Sequence, residues 1–203
     1  MLDVIKLAPS ELFALLVAVG FAAGLNLYAT VAVLGLLARL GHLPLPIGLQ
    51  LLASWPVIVA STALFGIEFV ADKIPAFDLI WNALHTFIRV PVAGLLAWQA
   101  TSQLSPERQL AAALLGSAIA LIAHGGKIAA RTAVTPSPEP LSNISLSIGE
   151  DLLAIGLTWL ATQHPYLAGV LAGALVLTII LLVKWVIRAM RILFSGIEHE
   201  MAR

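Results

Sequence analysis

The sequence predicts an all-α fold: a polytopic membrane helical bundle of about six transmembrane helices, with residues 1–203 forming one integral membrane domain. Three observations predict it. Hydrophobic residues make up 60% of the chain and charged residues 11%, whereas soluble domains carry about 25% charged residues. Mean hydropathy is +0.99. The apolar residues fall into long runs separated by Pro- and Gly-rich breaks, and about 20 apolar residues suffice to cross a bilayer core.

The formal net charge is zero, which argues against nucleic-acid binding through a basic surface. The absence of cysteine excludes disulfides, thiolate zinc sites and iron–sulfur clusters. The first apolar run is far longer than a signal-peptide core, so it reads as a retained helix.

The elements follow in order. A first helix is expected over about 10–39, with Ser10 and Glu11 behind Pro9 as its N-terminal cap. Gly41 to Pro46 ends it. A second, about 48–72, contains Trp55-Pro56, which should kink or break it. A third, about 78–101, carries Pro91 and reads as one helix or two short pieces. Ser105-Pro106-Glu107 opens the fourth, about 106–134. The run Thr135 to Pro140 is stiff and extended. The fifth covers about 142–163 and the sixth about 165–194, with Lys184, Trp185, Arg188 and Arg191 as interfacial anchors. Gly169 and Gly173 have the spacing that permits close helix approach.

With six spans, Lys6, Lys73, Lys127, Arg131, Lys184, Arg188, Arg191 and Arg203 share one side, while Arg39 and Arg108 take the other. The bias puts both termini in the cytoplasm. Halves 1–101 and 102–203 would then have opposite topologies, a 3+3 inverted repeat. Leu43-Pro44-Leu45-Pro46 matches Ser137-Pro138-Glu139-Pro140, but Trp81 and Trp185 require a different offset.

The polar residues are the unusual feature. A charge at bilayer depth costs at least ~2.5–3.5 kcal/mol on insertion scales, so such residues are paired or functional. Glu68 and Asp72 share a helix face at the end of the second helix. Asp72, Lys73 and Asp78 also fit a solvated interfacial cap, whereas Glu68 has apolar residues on both sides. On the third helix Asp78, Asn82, His85 and Arg89 form one stripe, and on the fourth Ser117, His124, Lys127 and Arg131 form another. Gly125-Gly126 beside His124 suits an unwound backbone or a close neighbour. Asn143 and three serines lead to Glu150 and Asp151 within the fifth segment, which suggests a re-entrant or discontinuous helix. Adjacent residues point about 100° apart, so at most one of Glu150 and Asp151 should face the axis squarely. Asn26, with Thr30 one turn on, reads most simply as an interhelical hydrogen-bonding residue. Five carboxylates face four cations in this set, which fits mutual pairing and equally a transport site.

Several motifs together resemble a bacterial integral-membrane family catalogued as a domain of unknown function, DUF4126. They are Gly24-Leu25-Asn26-x-Tyr28-x-Thr30, Glu68-x-x-x-Asp72-Lys73-x-Pro75-x-x-Asp78 and Trp81-Asn82-x-x-His85-Thr86-x-x-Arg89. His124-x-x-Lys127-x-x-x-Arg131 and Thr135-Pro136-Ser137-Pro138-Glu139-Pro140-x-Ser142-Asn143 through Glu150-Asp151 complete the likeness, which spans nearly the whole chain. The resemblance implies a compact multispan protein of the bacterial cytoplasmic membrane and no particular activity.

The favoured function is a small transporter or channel-like protein for an ion or small anionic solute, including a lipid phosphate. Arg89, Lys127 and Arg131 would hold the anion. Glu68, Asp72, Glu150 or Asp151 would carry a coupling ion, and His85 or His124 would relay protons. Asn26, Asn82 and Asn143 complete the expected site. An intramembrane enzyme holding Mg²⁺ on Glu68, Asp72 and Asp78 against a lipid headgroup is the second reading. A non-catalytic assembly factor with a paired charge network is the third, and haem ligation by His85 and His124 the weakest. No cofactor is specified, the bilayer is the expected partner, and association into homo-oligomers is left open.

Overall fold

A computed structural model describes residues 8–43, 45–134 and 140–201, with side chains described for these except 75, 76, 78, 79, 133, 134, 140, 143 and 189–201. The described residues are helical throughout, without strands. Helices α1 (Pro9–Leu25) and α2 (Leu27–Arg39) come first, then a 3₁₀ segment (Ile47–Ala53). The helices α3 (Trp55–Ala71), α4 (Pro75–Ala100), α5 (Pro106–Val134), α6 (Pro140–Gln163) and α7 (Pro165–Met201) follow.

The first expected helix is broken. Asn26 is extended, at φ −146° and ψ 101°, and its side-chain oxygen accepts from the Ala29 N–H at 2.9 Å. It therefore caps a second helix in the middle of an apolar run. The first turn of α1 also differs from expectation. Its opening N–H, from Ala8, donates to Glu11 at 3.0 Å, while Ser10 instead bonds the Tyr166 hydroxyl at 2.8 Å.

The break turns the chain back. Gly20 and Gly24 of α1 lie against Gly116 and Ala120 of α5, so these two helices run in parallel. Beyond Asn26, Thr30 reaches Thr158 at 3.5 Å, and Gly35 packs on Leu52 and Ile58. Leu34 and Ala38 then line a cavity shared with Leu12, Leu16 and Ala97. Hence α1 and α2 form a V whose arms open toward one end of the bundle. Gly41, at φ 77°, closes α2 in the left-handed conformation natural to glycine.

The break expected at Trp55-Pro56 is present: Pro56 lies in the first turn of α3, and the 3₁₀ segment meets this helix at 66°. By contrast, Pro91 lies within a continuous α4. Pro91 and Phe87, whose carbonyl loses its partner, both face outward, where a membrane helix tolerates the lost bond. The fifth segment is likewise a single helix, α6, rather than a re-entrant one. Glu150 and Asp151 Oδ1 are met by side chains of neighbouring helices without any unwinding.

Among the described residues four helices are long and apolar enough to cross a membrane, or five if the bent 3₁₀–α3 pair is one span. The helix directions bear on two further expectations. The start of α1 and the far end of α7 lie at opposite ends of the bundle, because Gly169 packs on Ala14 whereas Gly126 meets Ile179. An even number of crossings would put both ends on one side, and these directions do not support that expectation. The helix directions also do not support an inverted repeat, since α1 and α5, which open the two halves, run the same way. Of the proposed close-packing pair, Gly169 makes its contact and Gly173 has open space around it. Of the run expected to be extended, Thr135 to Pro140, residues 135–139 lie outside the described residues and Pro140 instead opens α6.

Apolar packing joins Phe21, Leu25, Ile119, Ala123, Leu157 and Ala172 from α1, α5, α6 and α7. A second cluster joins Leu27, Leu49, Ala93 and Ala120 across the V, the 3₁₀ segment, α4 and α5. Polarity is otherwise inverted relative to a soluble protein. Phe87 is 81% exposed and Val170 69%, while Arg89, Arg131 and Glu68 are at 0%. Such a surface suits contact with lipid.

Candidate functional site

The site forms where the α1–α2 break meets the end of α3, the middle of α6 and the facing stripes of α4 and α5. Ending α1 at Leu25 leaves its carbonyl free of an intrahelical partner. Two cations take it: Arg89 donates to the Leu25 oxygen at 3.2 Å and Lys127 at 3.4 Å. A helix C-terminus carries partial negative charge, so the pairing is favourable on both counts.

Arg89 also bonds Glu68, Asn82 Oδ1 at 3.3 Å and His124 Nδ1 at 3.0 Å. Lys127 lies 2.7 Å from Asp72, 3.5 Å from Glu68 and 3.6 Å from Glu150. Arg131 binds Glu150 at 2.6 Å, Asp72 Oδ2 at 3.2 Å and the Asp72 carbonyl at 2.8 Å. Three cations and three carboxylates thus form one continuous chain of contacts down α5, each cation touching at least two anions or carbonyls. In a low-dielectric interior only such mutual satisfaction holds charges in place.

Asp151 stands apart from that chain. Its Oδ1 accepts from Asn26 Nδ2 at 2.8 Å, and no cation lies within ion-pair distance of it among the described residues. Glu150 and Asp151 are both buried, yet they point to different partners, as adjacent residues on a helix must. They straddle the interior: Glu150 turns to α5 and Asp151 to the break.

A family model described as a domain of unknown function, DUF4126, matches residues 13–185. The chain belongs to the DUF4126 family. The match contains every residue of the network, and the family description names no activity. No curated protein and no solved structure matches the chain. For this DUF4126 protein the site must therefore be read from its own chemistry.

The histidines have defined roles. Arg89 can only donate, so His124 Nδ1 is the acceptor and the ring proton sits on Nε2. That nitrogen donates toward the Asn82 carbonyl at 3.0 Å and Thr86 Oγ1 at 2.9 Å. His85 lies at the edge of the network, its Nδ1 donating to the Trp81 carbonyl at 2.8 Å and its Nε2 3.0 Å from the Tyr28 hydroxyl. It stacks on Trp81 with ring centroids 4.2 Å apart. All four ring nitrogens are engaged, which removes the basis for haem ligation by this pair. Nor do the described residues contain a group of three His, Cys, Asp or Glu side chains able to hold a metal ion.

Of the expected residues, Asn26, Glu68, Asp72, Asn82, Arg89, His124, Lys127, Arg131, Glu150 and Asp151 come together, with His85 at the rim. Asp72 is fully buried rather than a solvated cap. Lys73 fits the interfacial reading: its ammonium donates to the Phe69 carbonyl at 2.7 Å and sits over the Phe69 ring. Ser117 joins α5 to the Val90 carbonyl, away from the network. The Asn143 and Asp78 side chains lie outside the described residues.

Sequence reasoning missed the Leu25 carbonyl, Thr86 as a His124 partner, and Ser147, which is fully buried. The polar Asn26 within an apolar run was the available signal for the first. Thr86, one turn from Asn82 and from Val90, was the signal for the second.

Proposed function

We propose that this protein is a small membrane transporter or channel-like protein for an ion or small anionic solute, working through its charged intramembrane site. The observation that carries the proposal is the helix break at Asn26, placed among buried charges. Broken half-helices whose ends present backbone groups to charged species near mid-membrane are a device of secondary transporters. A rigid scaffold would need neither the break nor the desolvated ions, since apolar replacements stabilise as well or better.

A route toward the network supports the same reading. A cavity of about 950 Å³ lies between the arms of the V, α4 and the 3₁₀ segment. Its lining includes Gly20 and Ala93, and Ala93 is one helical turn from Arg89. Leu and Ala dominate its walls, with Gln50, Thr101 and Gln103 among them, so an amphipathic solute such as a lipid phosphate suits it better than a bare inorganic ion. In this closed arrangement the carboxylates occupy Arg89, Lys127 and Arg131, and an incoming anion would displace them.

The exposed cations support an orientation. Lys73, Lys184 and Arg188 belong to the network end of the bundle, and Arg39 and Arg108 to the cavity end. The positive-inside bias favours the network end in the bacterial cytoplasm and the opening of the V outside. The complete pairing of the three cations is what favours the second reading, a non-catalytic assembly factor. Purified protein in vesicles separates them: uptake of chloride, inorganic phosphate or a short-chain lipid phosphate above that of empty vesicles supports transport. No uptake of any of these, with correctly folded protein, counts for the assembly role.

A further inference from the structure

Among the described residues, the buried charges of the network do not balance. Glu68, Asp72, Glu150 and Asp151 are four carboxylates, while Arg89, Lys127 and Arg131 are three cations, all at 8% exposure or less. Neither histidine supplies the missing charge within the observed bonds. His124 accepts from a guanidinium at Nδ1, so an added proton there would set donor against donor. His85 accepts the Tyr28 hydroxyl and touches no carboxylate. An uncompensated buried anion is costly, and in practice such a group takes up a proton.

The geometry indicates which carboxylate. Glu68, Asp72 and Glu150 each contact two cations. Asp151 has the neutral Asn26 amide alone, and its second oxygen, Oδ2, is buried without a hydrogen-bond partner. One turn earlier on the same face of α6, Ser147 Oγ is also fully buried and without a partner. Two buried, unpartnered oxygens one turn apart on α6, beside the helix break, suit a small positive species.

We infer that Asp151 holds an exchangeable proton for the network, taken on Oδ2 while Oδ1 keeps its bond to Asn26. The carboxylate and hydronium become a carboxylic acid and water. Around it stand Glu150 on α6; His124, Lys127 and Arg131 on α5; Glu68 and Asp72 of α3 with Lys73 beyond; and His85 and Arg89 on α4. The V contributes Asn26 and Tyr28, and the packed part of α7 carries no charge. Release of this proton would leave the network one unit more negative, loosening its hold on an anion and tightening it on Arg89 and Lys127. Only this last step, coupling, rests on the transport reading.

The test is infrared spectroscopy of the protein in lipid, which detects the carbonyl stretch of a protonated carboxylic acid. The wild type should show one such band at neutral pH, shifted in deuterium oxide and lost in Asp151→Asn. Carbon-13 labelling of aspartate in the wild type should shift the band while labelled glutamate leaves it unmoved, so the result stands even if the variant misfolds. No band, a band moved by glutamate labelling, or one that appears only when sodium is removed would overturn the inference. A missing band alongside measured solute flux would refute the proton and leave the transport reading intact.

Discussion

The Asn26 amide donates to Asp151 Oδ1 at 2.8 Å across 125 residues of sequence, tying the break in the V to the carboxylate that, among the described residues of the network, has no cation. Asn26 does two jobs at once. Its oxygen caps α2 through the Ala29 N–H, and its nitrogen satisfies Asp151. Neither Asp nor Ser can do both, because Asp lacks the amide donor and Ser the reach.

Asn26→Ala should therefore destabilise the protein by about 2–4 kcal/mol, from about 1 for the cap and the remainder for a buried acceptor left unpaired. Asn26→Ser should recover most of the capping part. Thermal unfolding in a fixed detergent measures both, and a change below about 1 kcal/mol for the alanine variant would contradict the double role.

Glu68 and Arg89 should behave as a coupled pair. Removing one partner of a buried ion pair costs about 3–5 kcal/mol, so Glu68→Gln should fall in that range. The double variant Glu68→Gln/Arg89→Gln should lose less than the sum of the two single changes. Strict additivity would show that the two are not energetically linked.

The histidine tautomers should differ. Nitrogen-15 solid-state spectra should show His124 protonated on Nε2 and His85 on Nδ1. Finding His124 protonated on Nδ1 would be incompatible with its bond from Arg89.

Because the chain has no cysteine, single cysteines can report sidedness directly. Ser10→Cys and Arg39→Cys should react with an impermeant thiol reagent from the same side of the membrane, and Arg188→Cys from the other. A straight first span would put Ser10 and Arg39 on opposite sides.

Much of this was legible in the sequence, and the gaps have physical causes. Polar stripes at helical spacing on the third and fourth expected helices located Asn82, His85, Arg89, His124, Lys127 and Arg131, because a charge in an apolar run has nowhere else to go. Boundaries marked by proline were also readable: Pro56, Pro106 and Pro165 each fall in the first turn of a helix. The break at Asn26 was not, since hydropathy is continuous through it and one capping side chain decides the direction of the following 13 residues. That single reversal also bears on the expected span count and symmetry. The fates of Glu150 and Asp151 were hidden for a related reason. Both are buried because partners approach α6 from two sides, and one of those partners is the break itself.

The central claim is that the network around the break moves a solute rather than only holding helices together. The most direct measurement compares solute flux into vesicles containing wild-type, Arg89→Ala or Glu150→Ala protein, each checked for retained helical fold and equal incorporation. The account predicts that both variants lose flux by at least about tenfold, about 1.4 kcal/mol in the rate-limiting barrier. Flux at the wild-type level in both variants would contradict it.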